Sequence, residues 1–369
     1  MDSVLDNALE ILKKIEDKGF KAFIVGGFVR DKILGKDSLD VDITTNAKPK
    51  DLIEIFPQLT LPREYYEALS IIKNGSRFEI VTFRKDITYY KNRKPMKVEY
   101  ISSLAEDLKR RDFTMNTLCI DSSGEIIDLL GGRKDIENHI IDTVGDANKK
   151  FKEDPLRILR AVRFYTILDF DLSSRTYKAI LKTKKYLKNL SYDRKKEELN
   201  LIFASKNLKR GIDLIIKLGL DKDLEIYNLK DICLKTDLIG KWASLEISSK
   251  YPFTKSEKDL IKSIKEAKEL NPLENKMIYD YGLYVASIIG DYHGISREEV
   301  SSKESMLPIR SRRDINIKTE EIMDILEKEE PGSYLNDIIN EIQNKILKLE
   351  LVNENRVLKS YVKRRFKDD

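Results

Sequence analysis

An α+β fold is expected from three observations: strand and hairpin signals are confined to the first 140 or so residues, the character of the chain changes at Glu153-Asp154-Pro155, and every periodic segment beyond that point repeats at helical spacing. The chain is therefore read as a head with a small mixed β-sheet and helices, followed by an all-helical remainder. Its 369 residues suffice for two or three folding units with proper cores. An apolar content of 41% excludes a disordered polymer, and the longest apolar runs fall far short of the ~18 residues that cross a bilayer. The amino-terminal stretch lacks the basic start and apolar core of an export signal, so a cytoplasmic protein is expected, with Cys119 and Cys233 reduced and unbridged.

Taken in order, residues 3–18 place Val4, Leu5, Ala8, Leu9, Leu12 and Ile15 on one helical face behind an Asp2/Ser3 start, and Gly19 ends that helix. Residues 22–25 (AFIV) read as a buried strand, followed by Gly26-Gly27 and a second helix carrying Arg30 and Asp31. From Leu39 to Thr44, Asp40 and Asp42 alternate with Val41 and Ile43, which is strand periodicity. The runs SIIK and RFEIVTF flank Asn74-Gly75, and Asn-Gly suits the positive φ angles of a two-residue hairpin turn. The charged stretch 84–97 has no apolar periodicity and reads as a loop; TLCID and EIIDL around an SSGE turn give a second hairpin. Asp154-Pro155 then starts the helical part. Helices are expected over 155–168, 174–188, 191–204, 207–218, 256–269, 317–328 and 335–347, with no strand and no fixed-period repeat among them.

Composition narrows the chemistry. Sixty-eight Lys and Arg against 63 Asp and Glu leave a net charge of +5, which permits a polyanionic partner without demanding one. The only histidines, His139 and His293, stand in unrelated contexts, which excludes paired-His zinc motifs and His–Asp phosphohydrolase clusters. Neither lies near a nucleophile-elbow sequence. The work falls to carboxylates and arginines.

Five groups of residues are candidates. Asp40 and Asp42, two apart on a strand, project from one face, and the usual compensation for such a repelling pair is a divalent cation with a taste for hard oxygen, Mg²⁺; the plain alternative is a solvated edge strand. Gly26-Gly27, fourteen residues upstream of Asp40, can bring backbone N–H groups close to a phosphate, although many strand–helix turns use Gly for geometry alone. Glu79 is a third carboxylate if its strand lies beside Asp40 and Asp42, or else a partner for an exposed Arg or Lys. Arg110, Arg111, Asp112 and Asn116 can bind triphosphate oxygens and ribose hydroxyls, or form a basic loop with a helix cap. Finally, spacing lets Glu153 buttress Arg157 while Asp154 stays free at the helix start. A carboxylate beside a guanidinium matches the edge shared by cytosine and adenine, an amino group next to an unprotonated ring nitrogen, and mismatches uracil and guanine. Alone, E-D-x-x-R is a capped helix with an ion pair.

Together, GGFVRDKILGKDSLDVDITTNAKP, RRDFTMNTL, DLLGGRKDI, FKEDPLRILRAVRF and SYDRKKEEL occur in the order and spacing seen in class II tRNA nucleotidyltransferases, the CCA-adding enzymes, which are related to bacterial poly(A) polymerases. These motifs span residues 21–204, and the stretch 306–366 is similar to the tail of the Gram-positive type. The resemblance implies that Asp40 and Asp42 hold two Mg²⁺ ions, with Glu79 beside them as a catalytic candidate. It implies that Gly26, Gly27, Arg30 and Asp31 shape the triphosphate pocket, that Arg111, Asp112 and Asn116 contact phosphates and ribose, and that Glu153, Asp154 and Arg157 form an amino-acid template. Arg160 and Arg163 would add phosphate or framework contacts, and Asp193, Arg194 and Glu198 would support the template helix. Asp128-Leu129-Leu130-Gly131 and Thr117 depart from the common pattern without removing a charged catalytic group. The implied domains are a catalytic head (1–140), a nucleotide-selecting neck (141–205), a body (206–290) and a tRNA-binding tail (291–369). The implied reaction is metal-dependent addition of CCA to the 3′ end of tRNA from CTP and ATP, without a template and with no membrane partner. Alternatives are an enzyme adding only A or only CC, a poly(A) polymerase, and a non-catalytic RNA-binding paralogue. The full-length stretch Arg84–Lys97, with Arg84, Asp86 and Arg93, disfavours the CC-only form, and the intact Asp40 and Asp42 disfavour the paralogue.

Overall fold

Helix α1 (Asp2–Glu16) buries Ala8, Ile11, Leu12 and Ile15 against the sheet, and its expected apolar stripe is the reason it forms. The computed structural model describes residues 2–59, 68–90 and 94–367. Two units emerge: Met1–Leu229 with Ile247–Pro252, and Lys230–Glu246 with Phe253–Asp369.

In the first unit β1 (Ala22–Val25), α2 (Gly27–Ile33), β2 (Asp40–Thr45) and α3 (Pro49–Ile55) follow the expected order. The hairpin β3 (Leu69–Lys73) and β4 (Ser76–Thr82) turns at Asn74 and Gly75, whose φ angles of 50° and 78° are the positive pair that an Asn-Gly turn supplies. Beyond it come β5 (Arg84–Tyr90), β6 (Lys94–Tyr100), α4 (Leu104–Lys109), β7 (Cys119–Ile120) and β8 (Ile126–Ile127). Six strands form one mixed sheet in the order β3-β4-β2-β1-β7-β8, with β2 and β4 parallel and the other neighbours antiparallel. Thus β2 is central. Its Val41 and Ile43 are buried, so Asp40 and Asp42 stand on the opposite, open face.

The stretch 84–97 corrects the sequence reading. It is not a loop: β5 and β6 pair antiparallel as a separate two-stranded ribbon, with bulges between Asp86 and Tyr89. The signal lay across the end of the stretch: Met96, Val98 and Tyr100 alternate with Lys97 and Glu99, and a reading that stops at 97 cuts that period short. Arg93 lies outside the described residues.

The helical part of this unit comprises α5 (Gly132–Glu137), α6 (Ala147–Glu153), α7 (Leu156–Leu168), α8 (Ser174–Thr183), α9 (Tyr192–Phe203) and α10 (Leu208–Leu218). The expectation of no strand there also needs correcting, because β9 (Ile140–Ile141) pairs with β10 (Asp171–Leu172) in parallel, two residues each. Gly132 opens α5 where a Cβ would lie 2.2 Å from the Thr114 carbonyl oxygen, so only glycine lets α5 press on the 114–116 turn.

In the second unit, the expected helices appear as Lys255–Ala267, Thr319–Leu326 and Tyr334–Leu347. The long helix Asn275–His293 was not expected; a kink at Gly282 (φ 79°, ψ 165°) rotates its buried face and breaks the sequence periodicity. Ile322, Ile342, Leu358 and Val362 centre the carboxyl-terminal core. No helix among the described residues is long and apolar enough to cross a membrane.

Candidate active site

On β2, Asp40 and Asp42 share one exposed face, and Asp42 is the register partner of Glu79 on parallel β4. Glu79 also forms a 2.7 Å ion pair with Arg77 of its own strand, so both readings of that residue find a counterpart in the geometry. Crowding by the surrounding protein pushes the Asp42 carboxyl above the usual carboxylate range; Arg111 pulls it down, while Glu79 and Asp40 push it further up. Its oxygens nevertheless face open space. Gly26 completes this corner. Its φ of 86° and ψ of −136° belong to glycine, and a Cβ there would stand 3.3 Å from Asp42 Oδ2 and 3.6 Å from Arg111 Nη1. The Gly26 N–H itself donates to the Leu118 carbonyl at 3.3 Å, so this glycine serves the close approach and does not offer its N–H to a ligand.

Does this corner suit a divalent cation? Among the described residues no group of three or more His, Cys, Asp and Glu forms a cage. Magnesium is ordinarily held by one or two carboxylates, with water and substrate phosphates filling its shell. Two carboxylates on one face, one of them destabilised as an anion by burial and, less, by like charges, fit that requirement.

Opposite the acidic strand lies a wall of arginines. A cleft of about 480 Å³ is lined by seven of them, Arg30, Arg110, Arg111, Arg157, Arg160, Arg163 and Arg194, against three aspartates, Asp42, Asp112 and Asp154. Asp112, buried where the chain leaves α4, accepts from Arg160 Nε at 2.6 Å, from Asn116 Nδ2 at 3.2 Å and from the Phe113 N–H at 2.8 Å. Burial alone would raise this carboxyl; Arg160 and the two amide donors outweigh it and bring it down to about 2. Arg30 Nη1 donates to Asn116 Oδ1 at 2.8 Å, and its Nε donates to Asp31 at 2.9 Å. Arg163 meets the buried Glu198 at 3.3 Å. Burial lowers Arg163 and raises Glu198 from their ordinary values.

The template segment is arranged differently from expectation. Helix α6 ends at Glu153 and α7 begins at Leu156, so the Glu153–Arg157 pair spans a helix junction and is loose, at 3.6 Å. Arg157 is instead pinned by two backbone carbonyls: its Nη1 donates to Lys150 at 3.2 Å and its Nη2 to Arg110 at 3.1 Å. Nor is Asp154 free. Its Oδ1 accepts from the Leu156 N–H at 3.1 Å, and its two oxygens take Arg194 Nη1 and Nη2 at 3.3 Å each. The sequence placed these two in one helix; a long-range partner from α9 is what orients the carboxylate.

Of the residues singled out by sequence, Gly26, Gly27, Arg30 and Asp42 meet Arg111, Asp112 and Asn116 in this cleft, together with Asp154, Arg157, Arg160 and Arg163. Asp40, Asp31, Glu79 and Glu153 stand outside its wall, and Asp193 is exposed on α9. Phe164 lines the cleft and was missed. So was Asp107, fully buried on α4. It accepts from Arg110 Nε at 2.8 Å, from the Arg84 N–H at 3.2 Å and from Thr44 Oγ1 at 3.3 Å, and it pairs with Arg111 at 3.5 Å. Burial would raise Asp107, but Arg110 and Arg111 hold it below its ordinary value. Its i, i+3, i+4 spacing to two arginines was the available signal.

Comparison with known proteins gives the family. Residues 22–142 match the Poly A polymerase head domain, and residues 169–224 match a probable RNA and SrmB-binding site of polymerase A. A CCA-adding enzyme of Ligilactobacillus salivarius is 32% identical, across 95% of this chain and 94% of its own length. The chain belongs to the CCA-adding enzyme family. Another member, from Streptococcus agalactiae, is 31% identical over 100% of this chain and 99% of its own. The crystal structure of the Bacillus stearothermophilus CCA-adding enzyme in complex with CTP superposes with a TM-score of 0.84 at 27% identity, covering 100% of this chain and 99% of that one. Family membership makes the protein a nucleotidyltransferase.

Proposed function

We propose that the protein completes tRNA by adding C, C and A to the 3′ end from CTP and ATP, releasing pyrophosphate at each step. The observation that carries this is the single cleft in which seven arginines and the Asp42 strand stand together with Asp154 and Arg157. The 3′ oxygen of the RNA bonds to the α-phosphorus as the bridging oxygen leaves with pyrophosphate. Arg30, Arg111, Arg160 and Arg163 would bind the triphosphate, and their existing partners hold them in place before it arrives. Asp40 and Asp42, with Glu79 nearby, would hold Mg²⁺; two such ions, when bound, activate the hydroxyl and neutralise charge on the leaving group.

Base choice follows from donor and acceptor counts. A guanidinium has five N–H donors, and Arg157 gives two of them to carbonyls, so donors remain for the ring nitrogen of cytosine or adenine. A carboxylate offers about four acceptor positions, and Asp154 has three engaged, leaving one for an exocyclic amino group. Uracil and guanine would meet the wrong partner at both positions. Residues 1–140 would serve as the head and 141–205 as the neck, with 206–290 and 291–369 as body and tail; the basic sequences RSRRD and YVKRRFK would hold the tRNA by its backbone and shape, in the cytoplasm.

The test is incubation with tRNA lacking its 3′ end and CTP, ATP or both, with products sized. Extension by two residues with CTP alone and by three with both nucleotides supports the reading. Long adenosine ladders would indicate the poly(A) polymerase suggested by the head-domain match, and no extension would remove the enzymatic reading.

A further inference from the structure

Three guanidiniums converge on one phenyl ring. Arg163 lies 4.7 Å, Arg30 5.2 Å and Arg160 5.4 Å from the centroid of Phe164, which itself lines the cleft and is 7% exposed. The three cations are therefore no more than about 11 Å from one another, close enough to repel across a partly desolvated site. Each is held along its edges by its own partners: Arg30 by Asn116 and Asp31, Arg160 by Asp112 and Arg163 by Glu198. A grip by one carboxylate, as at Arg160 and Arg163, leaves a planar group free to swing about that edge, whereas Arg30 is gripped on two sides. The ring supplies the second constraint, because its face carries negative charge density that attracts a cation. The ring is itself fixed, edge to face, by the fully buried Phe113 at 5.8 Å and 87°, and Phe113 is the neighbour of Asp112.

We propose that Phe164 is a positioning residue for triphosphate binding, holding Arg30, Arg160 and Arg163 with their remaining N–H groups convergent on the phosphates. The proposal rests on the reading of the cleft as a triphosphate site. It differs from a packing role in what replaces the side chain. Leucine and methionine fill comparable space but have no π face; tyrosine keeps the face.

The experiment measures KM and kcat for CTP and ATP, the CTP-to-UTP preference, and equilibrium binding of CTP without added divalent metal, in wild type, F164L, F164M and F164Y. Melting temperatures are recorded alongside. Expected in F164L and F164M is a rise of about tenfold in KM for both nucleotides and in the Kd for CTP, with kcat within about twofold and the base preference unchanged, while F164Y stays within about twofold of wild type throughout. F164M covers the case in which F164L does not fold. Unchanged KM and Kd in the two aliphatic variants, a fall in kcat alone, or an equal loss in F164Y would overturn the proposal. Should the wild type bind CTP but add no nucleotide, the enzymatic reading fails, and the Kd comparison still decides the role of the ring.

Discussion

Asp42 on β2 and Asp112, just beyond α4 and bonded to Arg160 of α7, face the same cleft, yet their carboxyls are driven in opposite directions, one up and the other down to about 2. At the strand, burial drives Asp42 up, and the like charges of Glu79 across the ladder and Asp40 two residues away add to it. Around the helix every charge is answered, Arg160 by Asp112, Arg163 by Glu198 and Arg157 by two carbonyls. The strand turns two carboxylates to open space, whereas the arginines around the helix are already fixed by protein partners. Period two of a strand makes the first cheap to build, since alternate residues share a face, whereas the second needs partners from several elements.

The most severe way to break the comparison is at the strand. Asp40→Ala or Asp42→Ala should lower nucleotide incorporation by roughly a thousandfold or more while tRNA binding, measured by filter retention or mobility shift, changes little. Because Asp42 is destabilised as an anion, folding favours its protonated form, and its cost appears as pH rises through its elevated range; Asp42→Ala should therefore hold or slightly raise the melting temperature at neutral pH. Turnover at the normal rate in both variants would remove the metal assignment.

Next in size is the ribbon. Replacing residues 84–97 by a short Gly/Ser linker should leave addition of CC intact and reduce terminal A addition by ~100-fold, if a separate element must help reshape one pocket for the larger purine. Equal loss of C and A would assign the ribbon a structural role instead.

Asp154→Ala and Arg157→Ala sharpen the helix side. UTP and GTP should gain on CTP and ATP by about ten- to a hundredfold, since a good bidentate contact contributes about 1–3 kcal/mol of discrimination. Measured kcat/KM for the four nucleotides, with melting temperatures, separates this from a weakened helix junction, which would lower stability alone. Arg194→Ala, which removes the long-range partner of Asp154, should shift the same ratios by less.

The smallest effect is on stability. Asp112 is depressed in the folded state, so its contribution is complete above its ordinary value of 3.8 and is lost as pH falls toward about 2. Asp112→Asn should cost about 2–3 kcal/mol at pH 7, and urea denaturation at pH 3 should show the gap to wild type narrowing. A gap that is constant with pH would detach Asp112 from that acid sensitivity.

Much of the head was legible in the sequence because its signals are local. Alternation fixed the face of Asp40 and Asp42, and Asn-Gly fixed the hairpin. What escaped is non-local: Arg194 reaches Asp154 across 40 residues of chain, Arg157 reaches the Arg110 carbonyl across 47, and Asp107 gathers Thr44, Arg84 and two arginines at one buried point. A motif can name Asp154 and Arg157 as a pair, but only packing shows that neither depends chiefly on Glu153. The ribbon and the kinked helix Asn275–His293 escaped for a different reason: the alternation of Met96, Val98 and Tyr100 runs past the end of the charged stretch, and the kink at Gly282 breaks the period of the helix.

The ribbon's self-pairing has a consequence for how the protein can vary. Among the described residues its strands exchange ladder bonds only with each other, and its root is tied by the Phe83 N–H to the Thr45 carbonyl and by the Ile101 N–H to the Phe83 carbonyl. Residues inserted or deleted in pairs near its tip therefore cut no ladder bond of the six-stranded sheet, and each added pair lengthens the arm by about 3.4 Å. Arm length is in this sense an independent dial, open to change by small insertions and deletions while the acidic strand keeps its register.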